Sequence, residues 1–271
     1  DEPVRLSGSA LEKLLDCPRH WFLSHEARAE RQHGQAANLG SVVHVLAQHA
    51  DEMTPEELPE HLDEVWQHIQ FDAAWLESSE KAEATTALER YVEWASRPTA
   101  RELVGVEVAF SVEVPLPGER VVLRGTVDRL ERDAQGRLVI VDLKTGRQAP
   151  TKAKAEASDQ LGAYQLAVQL GGFEHVAPGE RRAGGGELVF LRLDAGANSS
   201  LPKVFTQPSL DDAPRLAGDP SSSGHDTWVH DRLATGSRIV RSEEFPARAC
   251  SACSYCRFSF GCPIRAKGKE I

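Results

Sequence analysis

Residues Gly125–Arg147 read GTVDRLERDAQGRLVIVDLKTGR. Two runs rich in Val, Leu and Ile flank Asp133-Ala134-Gln135-Gly136, a tight-turn tetrapeptide, so the stretch predicts a hairpin of strands Val121 to Glu131 and Arg137 to Lys144. Alternate residues of a strand share a face, which groups Val139, Val141 and Leu143 on one side and Ile140, Asp142 and Lys144 on the other. Upstream, Val104, Val106, Val108 and Phe110 alternate in the same way, and Pro115 to Gly118 makes a turn, giving a three-strand meander. Downstream, Ser158 caps a helix that runs to about Leu170 and is stopped by Gly171-Gly172. Glu187 to Leu193 reads as one more strand, and Asp194 to Thr227 as a long loop rich in Gly, Pro, Ser and Asp.

The residues before the meander are helical in pattern. Ser9 is the expected N-cap of a segment holding Leu11, Leu14, Leu15 and Phe22, with Pro18 interrupting or restarting it. A second helix is expected from about Leu39 through His49, with Val42, Val43, Val45 and Leu46 as its apolar surface. Helices then continue to about Ser96, with Leu58, Leu62, Val65, Trp66, Ile69, Trp75, Leu88, Tyr91 and Trp94 as buried candidates. Helices combined with a meander and a later strand define a mixed α/β class.

The chain has 271 residues and a formal charge of −10. That balance at first argues against a nucleic-acid partner. Asp51 to Glu93, however, holds thirteen acidic and two basic residues, which is −11 on its own, while Trp228 to Ile271 has eight basic and four acidic residues, a local +4. Net charge therefore excludes little. No apolar run approaches the ~20 residues of a membrane span and no signal-peptide layout opens the chain, so a soluble cytoplasmic protein without a membrane partner is expected. The chain starts at Asp1 and holds a single methionine, Met53. It reads as a piece of a longer polypeptide.

Folding the hairpin brings Asp128 near Asp142, with Lys144 beside it. Two carboxylates offer hard oxygen donors suited to Mg²⁺ or Mn²⁺, and a neighbouring ammonium can orient water or stabilise charge on a phosphate. An isolated D-x-K is more often a surface ion pair. Here G-x-x-D, a hairpin and V-D-L-K-T-G are accompanied by Gly40-Ser41-Val42-Val43-His44 before the sheet, and by Gln160 and Tyr164 one turn apart after it. In that order the set resembles the PD-(D/E)xK nucleases, specifically their RecB-like branch. The resemblance implies a restriction-endonuclease-like mixed sheet flanked by helices, with His44, Asp128 and Asp142 as metal ligands and the Leu143 carbonyl as a further one. It implies that Lys144 is the catalytic lysine, and that Gln160 and Tyr164 position DNA or that lysine. Glu107 lies where the family often has an acidic residue, but a surface strand glutamate is as good a reading, and it is left outside the site.

Five cysteines remain: Cys17, then Cys250, Cys253, Cys256 and Cys262 within thirteen positions. Their crowding points to metal ligation and not to disulfides, since bridges between residues so close are strained. Taken by themselves, the C-terminal four form an all-cysteine zinc site, with Cys17 a buried thiol. The resemblance groups them differently. RecB-like nucleases of the AddB and AdnAB type carry one N-terminal cysteine and a C-terminal C-x2-C-x5-C on a 4Fe-4S cluster, which implies Cys17, Cys253, Cys256 and Cys262 as ligands and Cys250 as a spare.

Residues 1–271 are thus expected to form one RecB-like nuclease domain, with an acidic helical insertion at 51–96, a long loop at 194–227 and a cysteine-rich segment at 250–263. The expected activity is Mg²⁺- or Mn²⁺-dependent hydrolysis of DNA, single-stranded by preference, beside a helicase domain or subunit in double-strand-break processing. One rival is a catalytically inactive DNA-end-binding module. Another is a zinc-stapled interaction domain using the acidic helices.

Overall fold

The computed structural model describes residues 2–29, 42–47, 49, 57–69, 74–197, 199–214 and 227–264. Strand β1 (Val4–Leu6) leads into helix α1 (Gly8–Asp16). Its cap is Ser7, whose side chain accepts a hydrogen bond from the Ala10 amide, and not Ser9. The extended backbone at Ser7 aims that oxygen at the open amides of the first turn. Pro18 restarts the chain as α2 (Pro18–Trp21), filling a first-turn position where its missing N–H costs nothing.

Residues 42–47 are helical (α3), as expected, whereas Gly40 and Ser41 lie outside the described residues. The acidic region forms α4 (Glu57–Trp66) and α5 (Ala74–Ala95). Leu58, Leu62, Trp66, Leu88, Tyr91 and Trp94 are buried as expected. Val65 instead faces solvent, because Leu62 and Trp66 already cover the inner face one turn apart. The side chain of Trp75 lies outside the described residues.

Strands β2 (Glu102–Leu116), β3 (Glu119–Arg132) and β4 (Leu138–Lys144) form the antiparallel meander. The Asp133 side chain ties its hairpin turn by accepting from the Gln135 and Arg137 amides. Helices α6 (Lys152–Glu156) and α7 (Asp159–Gln169) follow, the latter capped by Ser158 as expected and ended by a left-handed Gly171. Strand β5 (Ala183–Asp194) runs parallel to β4, and β6 (Pro202–Gln207) is antiparallel to β5. The expected loop at 194–227 therefore contains an edge strand, as well as a short turn of helix at Leu210–Asp212. Pro202 is tolerated at the start of such a strand because it stands on the sheet's edge. Residues 215–226 lie outside the described residues. Helix α8 (Trp228–Ser242), to which the sequence reading assigned no element, packs beside α7.

The sheet order is β1-β3-β4-β5-β6, with β2 on the other side of β3. Its central strands are covered on both faces, so β4 is apolar almost throughout. Leu138, Ile140, Leu188 and Phe190 join the larger core under α1, α7 and α8. Val141, Leu143, Val189 and Leu191 join a second core under α3, α4 and α5. The acidic helices are thus one of the two layers that sandwich the sheet, and Glu80 and Glu83 of α5 reach in to pair with Arg192 of β5.

Candidate active site

Pairing of β3 with β4 runs from Arg132↔Leu138 to Arg129↔Val141 and stops, while β4 stays paired with β5 as far as Lys144↔Phe190. The next pair in register would be Asp128 with Asp142. The strands fork at that point, and the Asp128 carboxylate takes over the missing ladder bond by accepting from the Leu143 amide at 2.6 Å. Alternation along β3 also changes there: Val121, Leu123 and Val127 face the larger core at even spacing, then Leu130 does so three residues on. Opposite, between the Val106↔Arg129 and Val108↔Val127 pairs, Glu107 has φ 49°, a left-handed backbone that costs a non-glycine residue on the order of 1–2 kcal/mol.

This local twist gathers three donors. His44 Nε2 on α3 lies 3.1 Å from Asp128 Oδ1 and 3.8 Å from Glu107 Oε1. The hydrogen bond to Asp128 raises the His44 pKa; burial opposes the shift, and the nearby carboxylates add to it. Sequence reading left Glu107 outside the site. On a regular strand it would point to solvent, and a left-handed backbone at a glutamate carries no sequence signal.

On the face towards α7, Lys144 Nζ lies 2.5 Å from Asp142 Oδ2 and donates to Gln160 Oε1 at 2.8 Å. Gln160 Nε2 donates to Asp142 Oδ1 at 2.8 Å and to the Tyr164 hydroxyl at 3.1 Å. A lysine can only donate and a carboxylate only accept, so the two partners fix which way the amide points. Burial pushes the Asp142 carboxyl up to about 6, aided by the charge on Asp128 and resisted by Lys144. Burial works against the Lys144 ammonium, yet the adjacent Asp142 carboxylate outweighs it and the lysine is held above its ordinary value. Burial likewise raises the Tyr164 hydroxyl. The sequence-predicted residues thus lie around one fork in two connected sets, His44 with Asp128 and the Leu143 amide, and Asp142 with Lys144, Gln160 and Tyr164. Asp142 stands outside the close donor group that His44 and Asp128 form with Glu107.

A close helix approach supports this arrangement. A side chain at Gly8 would come within 3.0 Å of the Gln160 carbonyl and 3.1 Å of the Tyr164 ring, so glycine lets α1 lie directly on α7. Burial raises the carboxyl of Glu12, one turn further along α1, above its ordinary value, with the Lys144 charge opposing. No sequence motif marked it.

The fork fits a divalent cation. Among the described residues, His44, Glu107 and Asp128 form a group of three ligand side chains whose donor atoms all lie within 4.8 Å of one another. Asp142 Oδ2 is buried and, beyond its ion contact with Lys144, takes no well-directed hydrogen bond. A buried carboxylate oxygen with spare capacity is costly unless a cation shares it, and the Lys144 ammonium is already placed to do so. Carboxylates with one imidazole suit Mg²⁺ or Mn²⁺.

The cysteines gather elsewhere. All five line one hollow, together with His20 and Arg248, at the far end of α1 from its cap. The Arg248 amide approaches Cys17 Sγ at 3.5 Å, and the Arg19 amide donates to the Pro246 carbonyl, so segments more than two hundred positions apart are joined there. No three of the five sulfurs lie within 4.8 Å of one another. A tetrahedral zinc ion with Zn–S of about 2.3 Å would require sulfur separations of about 3.8 Å. The thiols are therefore splayed wider than zinc alone requires.

Hard donors and a fixed ammonium at the parted ends of two central strands, in a mixed sheet between helical layers, define a class of α/β hydrolases that work on phosphate esters beside a cation. The chain belongs to the PD-(D/E)XK nuclease superfamily, whose family model matches residues 5–263, and whose members are generally metal-dependent nucleases. Among solved structures, "Crystal structure of SSO0001" aligns at 15% identity and a TM-score of 0.39, covering 97% of this chain and 87% of that one. No curated protein matches.

Proposed function

We propose that the chain is a Mg²⁺- or Mn²⁺-dependent deoxyribonuclease of the RecB-like branch, acting on single-stranded DNA as the nuclease part of a helicase-nuclease in double-strand-break processing. The observation that carries this reading is the continuous chain of contacts from His44 through Asp128 to the Leu143 amide, beside the one linking Asp142, Lys144, Gln160 and Tyr164. The preference for single strands and the helicase partner rest on the resemblance to RecB-like nucleases, which receive unwound strands from a helicase.

His44, Asp128, Asp142 and the Leu143 carbonyl would hold the cation, and Glu107 joins them on the strength of its place in the donor group. When bound, the cation neutralises charge on the phosphate and makes a coordinated water more acidic. Lys144 stays protonated, and its ammonium is aimed by Asp142 and Gln160. It supplies a fixed positive charge as negative charge grows on the non-bridging phosphate oxygens. Gln160 is a positioning residue, since its amide locks the lysine and the carboxylate in one geometry. Tyr164 braces that amide from the other side. Water adds to phosphorus, a P–O bond to the leaving nucleotide breaks, and the products are a phosphate monoester and a hydroxyl.

The hollow of five thiols fits a 4Fe-4S cluster on Cys17, Cys253, Cys256 and Cys262, chiefly as a staple between distant segments. The spread of the sulfurs supports this over zinc.

The test is cleavage of linear single-stranded DNA with Mg²⁺ or Mn²⁺ by the wild type, Asp142→Ala and Lys144→Ala. Each variant is expected to lose about a thousandfold or more in rate. Equal cleavage by all three overturns the site. Retained DNA binding with no cleavage by the wild type under any metal favours a DNA-end-binding module instead.

A further inference from the structure

The fifth thiol is placed where four ligands would suffice. Cys250 is the cap of a short 3₁₀ turn, Ser251–Ser254, and Cys253 lies within that turn. Side chains three apart on a 3₁₀ turn eclipse one another, so the C-x2-C spacing stacks the two sulfurs on the same side. The Cys253 amide donates to the Cys250 carbonyl at 3.1 Å, and the Cys250 amide donates to Cys253 Sγ at 3.3 Å. The sulfurs themselves are 4.0 Å apart, and both line the hollow with Cys17, Cys256 and Cys262.

That separation discriminates between metal centres. Two thiolates about 3.8 Å apart can share one tetrahedral ion. A cubane cluster, by contrast, holds each of its four thiolates on a different iron, across the faces of a metal–sulfide cube, and so further apart than two ligands of one ion. Cys250 and Cys253 are too close to hold two different irons and are equally placed to reach one. Among the described residues, no third cysteine sulfur joins that pair within 4.8 Å.

We propose that Cys250 and Cys253 are alternative ligands for a single corner of the cluster, either of which suffices, whereas Cys17, Cys256 and Cys262 each hold a corner alone. The proposal rests on the cluster reading above. The exchange needs no redox step: one thiol loses its proton to solvent and binds iron while the other leaves iron and takes up a proton.

The test is anaerobic purification of the full chain and of Cys250→Ser, Cys253→Ser, the double variant and Cys256→Ser, read by iron and sulfide content and by visible absorbance. Each single change in the pair should keep iron within about twofold of wild type, while the double variant and Cys256→Ser should fall about tenfold or more. Loss of iron in Cys253→Ser alone overturns the exchange and leaves the cluster standing. A wild type holding zinc and no iron overturns both, and then each single variant of the pair should lose zinc. Should a variant not fold, alkylation of the folded wild type decides. One modified thiol per chain within the Cys250–Cys253 pair, with iron retained, is expected; none or two overturns the exchange.

Discussion

The fork at Asp128–Asp142 and the cysteine hollow, which lies beyond the C-terminal end of α1, are built on contrary principles. The fork is made of hard donors pinned by strands: Asp128 by the Leu143 amide, Asp142 by Gln160 and Lys144, and His44 by Asp128. Its geometry stands before any cation arrives. The hollow is made of soft thiols in and beside the short 3₁₀ turns Ser251–Ser254 and Ser259–Gly261, together with Cys17 between α1 and α2. It gathers its ligands without a strand ladder to pin them. A catalytic centre has to be organised in advance, because reorganisation during the reaction would cost rate. A staple only has to be closed.

Four measurements press on that contrast. The largest effect is expected at the fork: Asp128→Asn keeps the shape but removes one charge, and should slow DNA cleavage about a thousandfold with little change in melting temperature. A large fall in stability instead would mean that the fork is scaffolding. Next, Cys256→Ser, or chelation of the proposed cluster, should cost on the order of 3–5 kcal/mol in denaturant unfolding, because the proposed cross-link spans so long a loop. If stability is unchanged, the hollow is not a staple. Third, Gln160→Leu should lower the turnover rate about 10–100-fold while leaving KM near its wild-type value, as expected when a group that orients a ligand is lost. An unchanged rate would leave Lys144 positioned by Asp142 alone.

The smallest effect is a pH dependence. The Asp142 carboxyl is raised from 3.8 to about 6 in the folded chain, so the folded state binds more protons than the unfolded one between those values. Without metal, stability contributed by this group is present below pH 3.8 and is lost as pH rises towards 6. Melting in chelator across that window should show the decline, and Asp142→Asn should flatten it. A rise through the same window in the wild type, absent from the variant, would contradict the assignment of Asp142 as a carboxylate destabilised by burial.

Much of the fork was legible from sequence because its parts are close together and periodic. The alternation of Val139 to Lys144 set the faces, the Asp133–Gly136 turn set the register that brings Asp128 opposite Asp142, and the spacing of Gln160 and Tyr164 put both on one helix face. His44 was legible only through its motif. Glu107 was marked only by its family position, and its turn into the site depends on a left-handed backbone that no side-chain pattern shows. Edge strand β6 was hidden because only Val204 and Phe205 break a polar, proline-containing surround. Helix α8 carries Val229, Leu233 and Val240 at helical spacing, but Gly236 interrupts the stripe where Leu11 of α1 packs against it. The convergence of Cys17 with the C-terminal cysteines cannot be seen from spacing at all.

The fork also has a place in time. Apart from the His44–Asp128 bond, which spans 84, its bonds close short spans: 15 residues from Asp128 to Leu143, 16 from Lys144 to Gln160 and 18 from Asp142 to Gln160. The Cys17–Arg248 contact spans 231. Short loops close first, and a chain leaves the ribosome from its N-terminal end. The carboxylates and lysine can therefore be assembled in the nascent chain before the last cysteines exist, and the hollow is the final event. Pulse-labelled hydrogen exchange during refolding should protect the Leu143 amide before that of Arg248.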